Sequence, residues 1–199
     1  VGGQCSNSKP INSATPIQQG QINKQFKDIP GYLSAIPDPT KFCTSIQASS
    51  LQGTLDPGIY CVYGNWTGNS DVFGGGVTLV FMDGYVRWTG NGRLSISAPT
   101  SGPFKGMAIY MPLSNPNAEF KMNGTRDYCI KGTILVPSGE VDLRGSSGTL
   151  ANDNCSGYGI VGQVIGEVVS AGGTADVTIQ YDANQAGDLV VPPSIELVE

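Results

Sequence analysis

Between residues 53 and 182 the chain alternates short runs of branched and aromatic residues with clusters of Gly, Asn, Ser and Asp. Apolar runs bounded in this way predict β-strands. They fall at 58–64, 76–84, 94–99, 106–112, 118–124, 132–139, 140–145, 162–170 and 175–182. Four of them open on a glycine: Gly76, Gly106, Gly132 and Gly162, spaced by 30, 26 and 30 residues. Gly58 precedes them by 18 residues as a shorter member. Three openers share a preamble, Phe104-Lys105, Ile130-Lys131 and Ile160-Val161. Each opener is followed by a second short run with a turn, at 86–92, 118–124, 141–148 and 167–173. A period of about 20–30 residues made of strands and turns is the pattern of a β-solenoid.

The expected fold is therefore all-β, a right-handed parallel β-helix. Alternation along each opener would turn Val77, Leu79, Phe81, Met107, Ile109, Met111, Ile134 and Val136 inward. A β-sandwich is the alternative, since it too gives short strands at regular intervals. The repeated preamble favours the solenoid.

The body spans 43–182, and both flanks differ from it. Residues 1–42 are polar and rich in Pro, Gln and Asn, which reads as an extended arm with Pro-Asp turns. The first 20 read equally as disordered chain, whereas Ile29, Tyr32, Leu33, Ile36 and Phe42 suggest docking onto the body. In the tail, 183–199, Pro192-Pro193 separates Leu189-Val190-Val191 from Ile195–Val198 and enforces extended backbone. Such a tail either covers its own body or adds a strand to a neighbouring molecule.

Composition narrows the function. The formal charge is −5, so a nucleic-acid footprint is absent. Val and Ile total 31 against 22 for Leu and Ala, which opposes a helical fold. There is no His, which removes His-based acid–base chemistry and His-ligated metals, and no cofactor is expected. No run of 18 apolar residues offers a membrane span, and no signal peptide opens the chain.

Five cysteines, none in a CxxC pair, favour an oxidising, extracellular setting. Cys43 and Cys61 lie 18 apart and Cys129 and Cys155 lie 26 apart, each close to one solenoid turn. These spacings suggest Cys43–Cys61 and Cys129–Cys155 bridges and leave Cys5 as a free or intermolecular thiol. Sequons at Asn65, Asn123 and Asn154 are possible glycosylation points.

Candidate chemistry is sparse. A polysaccharide-cleaving site would draw on Asp83, Arg87, Arg93, Glu119, Lys121, Asp142 and Arg144. Glu119 with Lys121, and Asp142 with Arg144, read more simply as opposite charges decorating a strand face. Residues 151–154, Ala-Asn-Asp-Asn, read as a turn more readily than as a calcium seat. Lys105 and Lys131 read as charges that guard strand edges. Tyr60, Tyr63, Trp66, Tyr85 and Trp88 cluster in sequence. Trp66 and Trp88 could form a glycan platform, or the group fills one end of the core.

Several phrases carry a resemblance: FKDIPGYLSAIPDPTKFC, LDPGIYC, GGGVTLVF, ISAPTSGPFKGMAIYM, IKGTILVPSGEVDLRG, GIVGQVIGEVVSAGGTADVTIQYD and PPSIELVE. Across residues 28–199 the chain resembles the extracellular C-terminal region of TadE/TadG-like proteins of tight-adherence (Flp-type) pilus systems. The resemblance implies cell-surface or pilus-associated work and no catalysis. This chain has no transmembrane anchor, so either the anchor was removed or this is a secreted relative. The expected function is an extracellular structural subunit of a filament or pilus. Its partners are copies of itself, assembled head-to-tail through strand edges and terminal arms. A carbohydrate-binding adhesin is the alternative, with surface glycans as partners.

Overall fold

The computed structural model describes residues 33–89, 92–123, 128–144, 159–172 and 179–180. Twelve strands form one sheet. They are β1 (Thr44–Gln47), β2 (Gly53–Leu55), β3 (Gly58–Tyr63), β4 (Val72–Gly75), β5 (Val77–Phe81) and β6 (Val86–Trp88), followed by β7 (Leu94–Ser97), β8 (Met107–Tyr110), β9 (Glu119–Met122), β10 (Tyr128–Arg144), β11 (Ile160–Gly172) and β12 (Ile179–Gln180). No α-helix occurs among the described residues. Every strand pairing described is parallel. That excludes the β-sandwich, whose sheets are antiparallel.

The pairings fall into three stacks that the chain visits in turn. The first contains β1, β3, β5, β8, then the middle of β10 and of β11. The second contains β6, β9 and the C-terminal parts of β10 and β11. The third contains β2, β4, β7, then the N-terminal parts of β10 and β11, and finally β12. We call one passage through the three stacks a level. β10 and β11 are continuous strands that run through more than one stack.

Register places like residues on top of each other. Tyr60, Leu79, Ile109, Ile134 and Val164 form one inward file, and Ile96, Ile130 and Ile160 another. Val86, Phe120 and Val141, then Trp88, Met122 and Leu143, line the second stack. Each such aliphatic or aromatic side chain contributes about 1.5–3 kcal/mol on burial. Seven of the eight expected inward residues join this core; the exception is Met107. A register irregularity sets Thr133 against Met107 but Ile134 against Ile109. The extra residue of a bulge resets the alternation. Ala108 and Ile109 both enter the core, and Met107 joins Val80, Phe104, Tyr110 and Leu135 on the other side of the stack.

That second cluster explains why β5 is buried along its whole length instead of alternating. Both faces of the first stack are covered, as parallel sheets generally require. Leu33 and Ile36 of the N-terminal segment pack on the outer cluster, and Phe42 meets Phe104 edge-on at 6.4 Å. The segment thus docks as expected at these three positions. Ile29, Tyr32 and the tail at 183–199 lie outside the described residues.

The four opening glycines have a common backbone role. Gly76, Gly106, Gly132 and Gly162 have φ of 69°, 73°, 131° and 148°. Side-chain-bearing residues rarely adopt such angles. Gly132 and Gly162 stand in register, and the amide of Thr133 donates to the carbonyl of Gly106 at 2.7 Å. The sequence repeat is therefore a stack of chain corners at the entry to the first stack. Cys43 and Cys61 form the expected disulfide, with Cα atoms 5.5 Å apart, tying the N-terminal segment to β3. Cys129 is disulfide-bonded as well, while its expected partner Cys155, and Cys5, lie outside the described residues.

Candidate functional site

Charged side chains concentrate on the outward side of the second stack. Here the alternation is regular: in β6, Val86 and Trp88 are buried and Arg87 is exposed. In β9, Phe120 and Met122 are buried while Glu119 and Lys121 are half-buried. Register then sets Arg87 beside Lys121, Lys121 beside Asp142, and Glu119 beside Glu140. Charges far apart in sequence become neighbours one strand spacing apart, about 4.8 Å.

They neutralise one another. Arg87 Nε donates to Glu119 Oε1, and its Nη2 reaches Oε2 at 3.4 Å. Lys121 Nζ sits between Glu119 at 3.3 Å and Glu140 at 3.2 Å. Arg144 Nε donates to Asp142 Oδ1 at 2.9 Å, and Ser170 Oγ donates to the same oxygen at 3.0 Å. The hydrogen bond from Arg87 holds the Glu119 carboxyl below the usual range, with Lys121 adding to the effect. A carboxyl of lowered pKa stabilises the fold above the ordinary value, and the gain is lost as pH falls through the folded one. Glu119 thus carries no proton to donate at neutral pH, whereas a glycosidic general acid needs a raised pKa.

The other charged candidates are dispersed. Asp83 accepts the Gly64 amide at 2.7 Å, joining two turns. Arg93 donates to Asp71 Oδ2 through Nε at 3.0 Å and Nη2 at 2.7 Å, on the entry to the third stack. Lys105 is exposed and Lys131 half-buried, on different stretches of the first and third stacks. Residues 151–154, and Asn154 with them, lie outside the described residues.

The aromatic cluster is core. Trp66 is 4% exposed and Trp88 1%. Trp66 stacks on Phe81 at 5.8 Å and meets Trp88 edge-on at 4.7 Å. The expectation that Trp66 and Trp88 contact a glycan is corrected: both rings face inward, because Trp88 takes the buried phase of β6 and Trp66 bridges to Val86 beside it. Tyr85 is the member left at the surface, half-buried, with the Arg87 guanidinium 4.3 Å from its ring centre. Asn65 and Asn123 are exposed; Asn65 Oδ1 accepts the Tyr85 amide at 3.3 Å.

The structure adds residues that the sequence reading passed over. Asn115 is 3% exposed, and its Nδ2 donates to the carbonyls of Phe81 (3.0 Å) and Gly84 (2.9 Å). Its Oδ1 accepts the Asn117 amide at 2.9 Å, and Asn117 Nδ2 donates to the Asp83 carbonyl at 2.9 Å. The signal was the Asn-Pro-Asn of 115–117, a turn sequence whose carboxamides hold the turn of the previous level. Tyr85, Arg87, Asn117, Glu119 and Ser138 line an open groove of about 270 Å³ over these three levels.

No helix among the described residues is long and apolar enough to cross a membrane, and no group of three or more potential metal ligands occurs among them. Comparison with protein-family models, curated proteins and solved structures finds no match to this chain.

Proposed function

We propose that this chain is an extracellular structural subunit of a cell-surface filament or pilus, wound as a right-handed parallel β-helix and joined head-to-tail to copies of itself. One observation carries the reading. At the N-terminal end of the stacks, β1 pairs only with β3 and β2 only with β4 among the described residues. Three of the four β1 residues are exposed. A strand with one free edge is a template for another chain. Parallel strands at the opposite end of a second copy continue the same hydrogen-bond direction, which gives a heterologous, non-closing contact and so a fibre. The disulfide at Cys43–Cys61 favours an oxidising location. The paired state of Arg87, Glu119, Lys121 and Glu140 favours a structural role over catalysis.

Electron microscopy of the purified chain is the test, with truncations lacking 1–27 or 188–199. The full chain is expected to form fibres. Each truncation is expected to remain folded by circular dichroism yet stay monomeric. Fibres from both truncations would refute arm-mediated assembly, and a monodisperse full chain at high concentration would refute the filament reading itself.

A further inference from the structure

The groove on the second stack has features that stacking of strands does not call for. Three successive levels build it: Tyr85 and Arg87 from the first, Asn117 and Glu119 from the next, and Ser138 from the one after. Ser138 Oγ is buried and has no hydrogen-bond partner. Buried hydroxyls in folded proteins nearly always have one, so an orphan calls for an explanation. Nearby groups keep spare capacity as well. Arg87 engages Glu119 through Nε and Nη2, which leaves Nη1 to donate. Asn117 engages the Asp83 carbonyl through Nδ2, which leaves Oδ1 to accept.

The lining selects a class of ligand. Donors and acceptors stand side by side: guanidinium, carboxamide oxygen, carboxylate and hydroxyl. The formal charges balance, since Arg87 faces Glu119 while Lys121 is shared by Glu119 and Glu140. An ionic ligand would have to break one of these pairs, whereas a neutral one that both donates and accepts would not. At about 30 Å³ per water, 270 Å³ corresponds to roughly nine waters, room for one six-membered sugar ring.

We propose that this groove binds a neutral hexopyranose unit of a glycan, whose ring hydroxyls bond to Ser138 Oγ, Arg87 Nη1 and Asn117 Oδ1. The site lies on middle levels and does not depend on the filament reading. It also moves any glycan contact from Trp66 and Trp88 to the polar face beside Tyr85.

The test is a titration of the ¹⁵N-labelled full chain with methyl glucopyranoside, methyl galactopyranoside and the methyl glycoside of N-acetylglucosamine, with glucuronate as the charged arm. At least one neutral probe is expected to shift the amides of Arg87, Ala118, Glu119 and Ser138 and to saturate, with a dissociation constant on the order of 1 mM, the weak range expected of so small a ligand. Ser138→Ala is expected to weaken binding about tenfold while the melting temperature stays level or rises, because the hydroxyl has no partner within the fold. Arg87→Gln is expected to weaken it similarly. A fall in melting temperature for Ser138→Ala would assign the hydroxyl to the fold and overturn the proposal. So would absence of saturable shifts with all three neutral probes, binding unaffected by both substitutions, or preference for glucuronate.

Discussion

Asn115→Ala isolates how one level is fastened to the previous one. In the parent, a single buried carboxamide satisfies the carbonyls of Phe81 and Gly84 and accepts the Asn117 amide. Truncation orphans two carbonyls in a region where Phe81 and Gly84 are both buried. The Asn117 side is exposed, so water replaces that third bond at little cost. At about 1–2 kcal/mol for each buried orphan, the loss is about 2–4 kcal/mol. Urea unfolding followed by tryptophan fluorescence is the natural assay, because Trp66 stacks on Phe81 itself. The midpoint should fall with the slope unchanged, which marks a stability change and not a change of compactness. Asn115→Asp refines the test. It preserves shape and the acceptor for Asn117 but turns carboxylate oxygens toward two carbonyls. Its folded pKa is raised above the unfolded one, so its stability is fully present below the unfolded value and is lost as pH rises through the folded one. The Asp variant should therefore gain on the Ala variant between pH 7 and 4. A loss of less than about 0.5 kcal/mol for Asn115→Ala, the size of an ordinary surface change, would refute the reasoning.

Three further outcomes follow from the same structure. Replacing Cys43 and Cys61 together by Ala should cost about 3 kcal/mol, the loop-closure value for an 18-residue separation, read from denaturant unfolding without and with reductant; equal stability of parent and variant under oxidising conditions would count against it. Trp88→Ala should cost about 3–5 kcal/mol in the same assay, since the ring is fully buried, and a loss below about 1 kcal/mol would contradict its place in the core. Burial pushes the Tyr110 hydroxyl up to about 12, so the parent should lose stability as pH rises from 10, where the unfolded chain ionises, toward 12; Tyr110→Phe should flatten that decline, and parallel pH profiles would argue against it.

Sequence alone determined the strand content, the repeat and the Cys43–Cys61 bridge. Glycines at a steady spacing before branched runs have few physical uses, and positive φ at Gly76, Gly106, Gly132 and Gly162 is the use found. Strands β1, β2 and β4 were not legible, because they are three or four residues long and carry Gly, Ser and Thr instead of an apolar alternation. Tertiary structure decided the rest. Which side of a strand faces inward depends on register, and a single bulge sent Met107 outward where simple alternation sends it in. Whether Trp66 and Trp88 meet solvent depends on what the neighbouring levels cover. The Arg87–Glu119–Lys121–Glu140 network joins residues up to 53 positions apart, and only parallel stacking brings them within a salt-bridge length. Local pattern is set by backbone preference and polarity along the chain. Contacts across levels are set by how many residues each passage consumes, a length that varies here and that no local rule supplies.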